Sequence, residues 1–183
     1  IHADLEMTGY KVTPILSVEP NAIQLISATK TFNLAALRHS SVLIKNADLR
    51  ARFKAEYDKR GIDGINLFGA LAQRTAYSEG EAWLNELLAY IDGNRRVVEE
   101  ALDGTVVKYS RLEATYLMWL DMRALNLNQK DLMRFVVEKA RLGLNDGTSF
   151  GEEGAGFVRL NLATPRKNVV EAMARLTAAL KTL

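Results

Sequence analysis

The most constraining feature of this sequence is a short apolar run that ends in hydroxyl residues and one lysine. The run 23–26 is followed directly by Ser-Ala-Thr-Lys-Thr at 27–31. The apolar run predicts a buried strand. Lysine is almost never fully buried unless it is paired, so Lys30 at the end of such a strand is an unusual placement. A desolvated or cation-flanked lysine has a lowered pKa, and its neutral amine can form a Schiff base with a carbonyl.

The hydroxyl residues around Lys30 suggest a second function for the same segment. Ser27 lies three residues before Lys30 and Thr29 one residue before it. Hydroxyls and free backbone N–H groups at the end of a strand suit a phosphate group. Because a short motif is weak evidence by itself, an ordinary surface lysine in a polar loop is the alternative interpretation.

Composition and charge exclude several other classes of protein. The net charge is +2, and no basic run interleaved with aromatic residues is present, so we predict no nucleic-acid partner. The chain has no cysteine and two histidines, so we predict no metal site. No apolar run approaches the ~18 residues of a membrane span, and no signal peptide is visible, so we expect no membrane partner and a cytoplasmic location.

Four segments, in order along the chain, resemble a single family. Residues 27–37 resemble the lysine segment that binds pyridoxal 5'-phosphate (PLP) in fold-type I aminotransferases, and they are most similar to the cystathionine β-lyase-like C–S lyases of the MalY/PatB branch. Residues 1–5 resemble the tail of that family's D-E-I-H-x-D-L segment. Residues 115–121 resemble its T-Y-L-x-W-L-D strand. Residues 144–166 resemble its C-terminal substrate-carboxylate region. The resemblance covers essentially the whole chain.

The resemblance implies an α/β fold in two parts. The first part is the end of the large domain of a PLP-dependent transferase of fold type I, and a small α/β C-terminal domain follows it. We expect the large-domain part at 1–90, with a linking helix from about residue 78, and the small domain at 91–183. Since members of the family are much longer, the resemblance also implies that this chain is the C-terminal half of an enzyme whose N-terminal half is missing.

The resemblance assigns roles to five residues. Lys30 is the catalytic, PLP-binding lysine, His2 hydrogen-bonds the 3′ oxygen of the cofactor, and Arg159 binds the α-carboxylate of the substrate. We expect Ser27 and Arg38 at the cofactor phosphate, where an arginine offers a planar fork of donors. The alternatives are a solvated terminal residue for His2, a surface position for Arg38 and a salt bridge for Arg159.

The chain departs from the family pattern in two places. The family aspartate that pairs with the pyridinium nitrogen would lie just upstream of Ile1. The family element H-x-P-F is replaced by Val-Thr-Pro-Ile at 12–15, so any role for that histidine is lost.

The function implied is a PLP-dependent C–S β-lyase. It would act on a sulfur amino acid such as cystathionine and release a thiol, pyruvate and ammonia. One alternative is a PLP-dependent aminotransferase of class I/II, because the same residues serve both reactions. Another alternative is an inactive fragment that lacks the N-terminal half. The partners implied are an amino-acid substrate and a second copy of the chain, in a homodimer with a shared active site.

Local patterns predict further elements. Ser78 and Glu81 form a capping-box pattern, which predicts a helix of about 25 residues that ends at Gly104. A helix is expected over 128–142 and a glycine-rich loop over 143–156. Alternation over 157–162 predicts a strand whose residues 157, 159 and 161 share one face. Thr164 and Pro165 predict an N-cap and the first position of the last helix.

Overall fold

The structure is a computed structural model that describes residues 1–62 and 64–183. It divides into two compact units, Ile1–Leu88 and Ala89–Leu183. The domain boundary near residue 90 that the sequence suggests stays a prediction. That the first unit is part of a larger PLP-binding domain stays a prediction. No helix in the described ranges is both long and apolar enough to cross a membrane.

The first unit combines a small sheet with helices. Its elements are α1 (Ile15–Val18), β1 (Ile23–Ile26), a 3₁₀ turn (Ala35–Leu37), β2 (Ser41–Ile44), α2 (Ala47–Lys59) and α3 (Leu67–Glu79). Strands β1 and β2 pair antiparallel, with Ile23 opposite Ile44 and Ile26 opposite Ser41. Among the described residues of this unit, the sheet consists of these two strands.

Strand β1 lies where the sequence predicts a strand, but the prediction that this strand is buried is wrong for this chain. Leu25 in β1 is 59% exposed, and Val42 and Leu43 in β2 are also exposed. A two-stranded sheet needs a third strand or a packed helix to cover its apolar side chains. The described part of this unit leaves these side chains uncovered.

Helices α2 and α3 each begin with an asparagine cap. The side chain of Asn46 accepts a hydrogen bond from the Leu49 N–H at 3.0 Å, and Asn66 accepts from the Gly69 N–H at 3.1 Å. Such caps satisfy one of the free N–H groups of the first turn. Helix α2 buries no residue, and α3 buries Gly69 and Gln73. These two helices therefore depend on their caps more than on buried side chains.

The predicted capping box at Ser78 is wrong. The Ser78 hydroxyl donates to the Arg74 carbonyl oxygen at 2.9 Å inside α3, and this back-bond is what a serine within a helix commonly makes. Helix α3 ends at Glu79, and the C-cap residue Gly80 donates its N–H to the Ala76 carbonyl oxygen at 3.0 Å. Helix α4 then begins at Glu81 and runs for 22 residues to Leu102.

The second unit contains a four-stranded antiparallel sheet in the order β3-β4-β6-β5. After α4 come β3 (Lys108–Tyr109), β4 (Leu117–Asp121), a 3₁₀ turn (Arg123–Leu125), α5 (Gln129–Arg134), a π-helical segment (Phe135–Lys139), β5 (Asn145–Asp146), 3₁₀ turns at Gly147–Phe150 and Glu152–Gly154, β6 (Phe157–Asn161) and α6 (Arg166–Leu180). The loop expected over 143–156 thus contains a short strand and two turns.

Strand β6 confirms the predicted alternation. Val158 and Leu160 are buried, whereas Phe157 and Arg159 are half-buried on the opposite face. Strand β4 buries Met118 and Leu120 in the same way. The buried faces of these strands belong to the core of the second unit.

The start of α6 is shifted by one residue from the prediction. Pro165 occupies the N-cap and makes no side-chain cap, and α6 begins at Arg166. Thr164 instead accepts a hydrogen bond from the Asn168 side chain at 2.9 Å. The fully buried Asn94 of α4 donates to the Thr164 carbonyl oxygen at 2.9 Å, which fixes this entry to the helix.

Candidate functional site

The lysine segment forms a compact turn after β1. Two backbone hydrogen bonds close it, from the Phe32 N–H to the Ala28 carbonyl oxygen and from the Leu34 N–H to the Thr29 carbonyl oxygen, both at 2.9 Å. Ala28 is buried and the Lys30 side chain is exposed. The turn therefore presents the amine of Lys30 outward from a fixed backbone.

The hydroxyls before Lys30 are connected to each other. The Ser27 Oγ donates to the His39 carbonyl oxygen at 2.6 Å and lies 2.8 Å from the Thr29 Oγ1. The Thr29 N–H also donates to the Ser27 Oγ at 3.2 Å. Because the single hydroxyl hydrogen of Ser27 goes to His39, the Thr29 hydroxyl must donate in the Ser27–Thr29 pair. A phosphate at this site would take its hydrogen bond from Thr29 by rotation of that hydroxyl, or from Ser27 by displacement of His39.

Helix α3 contacts the lysine turn through hydrogen bonds of the Gln73 side chain. This nearly buried side chain accepts a hydrogen bond from the Ala28 N–H at 3.4 Å and donates to the Ser41 hydroxyl at 2.7 Å. The lysine turn and the start of β2 are thus joined by one amide group. No local pattern in the sequence pointed to Gln73.

Asp4 is a second residue that the sequence analysis missed. The Thr31 hydroxyl is buried and donates to the Asp4 Oδ2 at 2.9 Å. Burial raises the pKa of the Tyr77 hydroxyl, and the nearby negative charge of Asp4 raises it further. A cleft of ≈ 330 Å³ lies here, and it is lined by Ile1, Ala3, Asp4, Gln24, Ile26, Ser27 and Tyr77. Asp4 belongs to the 1–5 segment on which the family resemblance rests, but nothing in the sequence indicated its pairing with Thr31.

The other two residues assigned to the cofactor are His2 and Arg38, both in the first unit. His2 is half-buried, and its carbonyl oxygen accepts from the Leu5 N–H at 3.0 Å. Arg38 is exposed and has a φ of 45°, at the end of the 3₁₀ turn. The structure therefore brings Ser27 together with Thr29 beside Lys30. The roles of His2 and Arg38 stay predictions.

Arg159 lies at the centre of a separate cluster in the second unit. On β6 it is opposite Trp119 of β4 and Asn145 of β5. Its Nη2 donates to the Asn145 Oδ1 at 3.2 Å, and its guanidinium carbon lies 4.2 Å from the centre of the Phe150 ring. Within the described residues, the Arg159 Nε is buried without a hydrogen-bond partner, and no carboxylate forms an ion pair with this arginine. The salt-bridge alternative has no support in the described ranges.

Aromatic side chains lie around the Arg159 guanidinium. Burial raises the pKa of the Tyr116 hydroxyl, and the positive charge of Arg159 partly opposes that shift. Trp119 meets the Phe150 ring edge to face at 5.4 Å. A guanidinium without an acidic partner, set among aromatic rings, is suited to bind an external carboxylate. Among residues 1–62 and 64–183 no group of acidic, histidine or cysteine side chains is arranged to hold a metal ion.

Comparison with known proteins identifies the family. Residues 1–176 match the model of the aminotransferase class I and II family, so the chain belongs to that family. It is 35% identical to the cystathionine beta-lyase PatB of Bacillus subtilis (strain 168) over 186 residues, which are 98% of this chain and 48% of PatB. It is 31% identical to the protein MalY of Escherichia coli (strain K12) over 160 residues, which are 86% of this chain and 41% of MalY.

A solved structure agrees with this assignment. Cystalysin from Treponema denticola, which contains a pyridoxal 5'-phosphate cofactor, superposes with a TM-score of 0.92 at 35% identity, over 100% of this chain and 48% of cystalysin. The resemblance found in the sequence and the fold-type I α/β architecture are therefore confirmed. The chain spans about half the length of the relatives it matches.

Proposed function

We propose that this chain belongs to a PLP-dependent C–S β-lyase that acts on a sulfur amino acid such as cystathionine. The observation that carries the proposal is the similarity to PatB along almost the whole chain, which includes the lysine turn and the Arg159 strand. The proposal covers the activity, the substrate class and the cofactor of the whole enzyme.

The residues of the lysine turn fit PLP by their chemistry. The cofactor carries an aldehyde and a phosphate, and this turn places an exposed primary amine next to two hydroxyls. Lys30 would hold the aldehyde carbon, and Thr29 with Ser27 would lie at the phosphate. His2 and Arg38 are assigned to the 3′ oxygen and the phosphate on the resemblance alone. When bound, PLP supplies an electron sink that acidifies the α-carbon of the amino acid.

The proposed mechanism uses two residues of this chain directly. Arg159 binds the α-carboxylate through paired N–H donors and so orients the amino acid. The Lys30 Nζ, once the amino group of the substrate has replaced it at the aldehyde carbon, would be a free amine that removes the proton from the α-carbon; the bond between the β-carbon and sulfur would then break, and the thiolate would leave with its electron pair. Lys30 can return that proton to the leaving sulfur. Water then hydrolyses the released aminoacrylate to pyruvate and ammonia.

The experiment measures both products of full-length enzyme supplied with PLP and cystathionine. We expect one thiol and one pyruvate for each cystathionine consumed. Lys30→Ala should lower the rate by about 10²-fold or more, because it removes the general base. Lys54→Ala, which changes an exposed lysine paired with Asp58, is the matched control and should retain the rate. Reduction with borohydride and peptide mapping should place the cofactor on Lys30; a specific adduct on another lysine would contradict the assignment.

The family itself favours one alternative, transamination. An aminotransferase would convert the amino acid to its keto acid without breaking the C–S bond and would then aminate a second keto acid. Product analysis with the same enzyme separates the two reactions, because only the lyase releases a thiol. An inactive fragment is the other alternative. It predicts no cofactor binding by this chain alone and self-association in sedimentation experiments.

A homodimer and a cytoplasmic location belong to the same proposal. The homodimer is supported by the exposed start of α3, where Leu67 is 73% and Phe68 71% exposed. These two side chains lie in the segment that the resemblance places near the dimer interface. Sedimentation of the full-length enzyme should give twice the monomer mass, and Phe68→Ser should shift it toward monomer. Fractionation of cells tests the location.

A further inference from the structure

The guanidinium of Arg159 is restricted by its neighbours on two of its edges and one of its faces. The Phe150 ring covers the face, with 4.2 Å between the guanidinium carbon and the ring centre. Asn145 accepts a hydrogen bond from Nη2 at 3.2 Å. Nε is buried without a partner among the described residues. The N–H donors that remain available to a ligand are those of Nη1 and the second hydrogen of Nη2, which form the outer edge of the guanidinium.

Phe150 is itself held in place. It ends a 3₁₀ turn (Gly147–Phe150) in which the Asp146 carboxylate accepts from the Thr148 N–H at 2.8 Å. Trp119 meets the Phe150 ring edge to face at 5.4 Å, with an interplanar angle of 82°. The ring is nevertheless 50% exposed. Its location is therefore better explained by its contacts with Arg159 and Trp119 than by core burial.

Because Nε is buried without a partner, the orientation of the Arg159 guanidinium is explained by its contacts with Phe150 and Asn145. A buried N–H without a partner is destabilising, so other contacts of the arginine must offset the cost of burying Nε. Packing on Phe150 and the bond to Asn145 compensate for it. An arginine whose plane is set before the ligand arrives loses less conformational freedom on binding.

We infer that Phe150 and Asn145 are positioning residues that orient the Arg159 guanidinium, so that its outer Nη1–Nη2 edge receives the substrate carboxylate. This inference rests on the proposed function and deepens it, since it concerns how one site recognises an amino acid. Phe150 and Asn145 act through Arg159 and need not touch the substrate.

The experiment measures how strongly the full-length enzyme discriminates between ligands with and without a carboxylate. L-Alanine and ethylamine, which lacks that carboxylate, serve as competitive inhibitors of thiol release, and their inhibition constants give their binding. The ratio of their dissociation constants is the carboxylate discrimination. Arg159→Ala provides the reference without the guanidinium.

We expect Phe150→Leu to lower this ratio by about fivefold, because it removes the cation–π contact. Asn145→Ala should lower it by about two- to threefold, because it removes one hydrogen bond to a charged group at an exposed site. Phe157→Leu is the matched control: its ring lies 4.8 Å from the Arg123 guanidinium carbon and, like Phe150, meets Trp119 edge to face, so it removes the same types of contact from a different arginine. The control should leave the ratio unchanged.

The double variant tests whether the effect passes through Arg159. Adding Phe150→Leu to Arg159→Ala should change the ratio no further, whereas a general packing defect would add to it. An unchanged ratio in Phe150→Leu, or the same loss in Phe157→Leu, would overturn this inference while the lyase activity stands. A wild-type enzyme that binds no amino acid and releases no thiol would overturn the proposed function, and this inference with it.

Discussion

The two units of this chain differ sharply in how they treat their apolar residues. In the described part of the first unit the buried apolar residues are Leu5, Met7, Leu16 and Ala28. The second unit has many more buried side chains, and the largest fully buried ones include Ile91, Val98, Val107, Met118, Leu120, Met122, Leu132, Val136, Leu162, Met173 and Leu176. The second unit is thus a packed domain core, whereas the first presents apolar strands and helices that lack a covering layer.

The difference between the units shows that a clear local pattern does not guarantee burial. Strand β1 and strand β6 are both rich in apolar residues. Strand β6 lies between β4 and β5 and buries Val158 and Leu160 on one face, whereas among the described residues β1 pairs with β2 and its Leu25 is exposed. Burial of about 25 cal/mol for each Å² is gained only when another element covers the surface. The following predictions test this contrast.

The largest contrast is expected from truncation of one leucine in each unit. Leu120→Ala in β4 should lower the free energy of unfolding by about 2–5 kcal/mol, because it leaves a cavity in a packed core. Leu25→Ala in β1, where the side chain is 59% exposed, should change it by less than about 0.5 kcal/mol. Chemical denaturation of both variants measures the difference. Equal losses would show that β1 is packed after all.

A smaller contrast concerns two glycines of the loop before β6. A Cβ on Gly147 would lie 2.2 Å from the Gly154 carbonyl oxygen, so Gly147→Ala must displace backbone and should cost about 1–3 kcal/mol. A Cβ on Gly143 would meet no atom within 4 Å, so Gly143→Ala is the control and should be neutral or slightly stabilising. The two unfolding midpoints decide this prediction, and a neutral Gly147→Ala would contradict it.

The two units can also be compared through matched helix caps. Asn66 caps α3 in the first unit, and Asn128 caps α5 in the second by accepting from the Asp131 N–H at 2.9 Å. Replacement of either by alanine should cost about 1 kcal/mol of helix stability. In the loosely packed first unit the loss should appear in hydrogen exchange as local opening of α3. In the second unit the loss of the Asn128 cap should lower the midpoint of global unfolding. Local opening of α5 together with a lower global midpoint for the Asn66 variant would contradict the view that the second unit is the better packed one.

The smallest effects are expected from pH. The Thr148 hydroxyl beside Asp146 is the first cause that holds the pKa of that carboxyl below 3.8, and Gln129 contributes as well. Because the folded pKa is lowered, this carboxylate contributes stability above pH 3.8, and the contribution is lost as the pH falls through the lower folded value. Asp146→Asn should therefore show a shallower loss of stability in acid than the wild type. Parallel acid titrations would contradict this.

The stability of the first unit should change with pH in the alkaline range. Burial, assisted by Asp4, raises the pKa of Tyr77 above 10.0. A raised folded pKa contributes stability below pH 10.0, and that stability is lost as the pH rises through the folded value. Tyr77→Phe should remove this alkaline loss. A wild type and variant with identical alkaline unfolding curves would show that Tyr77 is not coupled to folding.

Much of the fold and part of the candidate site were predictable from the sequence because they depend on near neighbours in the chain. The strand before Lys30, the hydroxyls beside it and the alternation that sets Arg159 apart from Val158 and Leu160 are properties of short segments. The family assignment also followed from four such segments. The capping box failed because Ser78 had two local options, and the helix that already contained it was the more favourable one.

The tertiary structure alone decided which distant residues meet. Thr31 pairs with Asp4, Gln73 joins Ala28 to Ser41, and Phe150 covers Arg159. Each of these contacts depends on the path of the chain through space, and a periodic pattern carries no record of that path. Burial of β1 depends likewise on what covers it, because hydrophobic stabilisation is a property of the surface removed from water and not of the apolar segment itself.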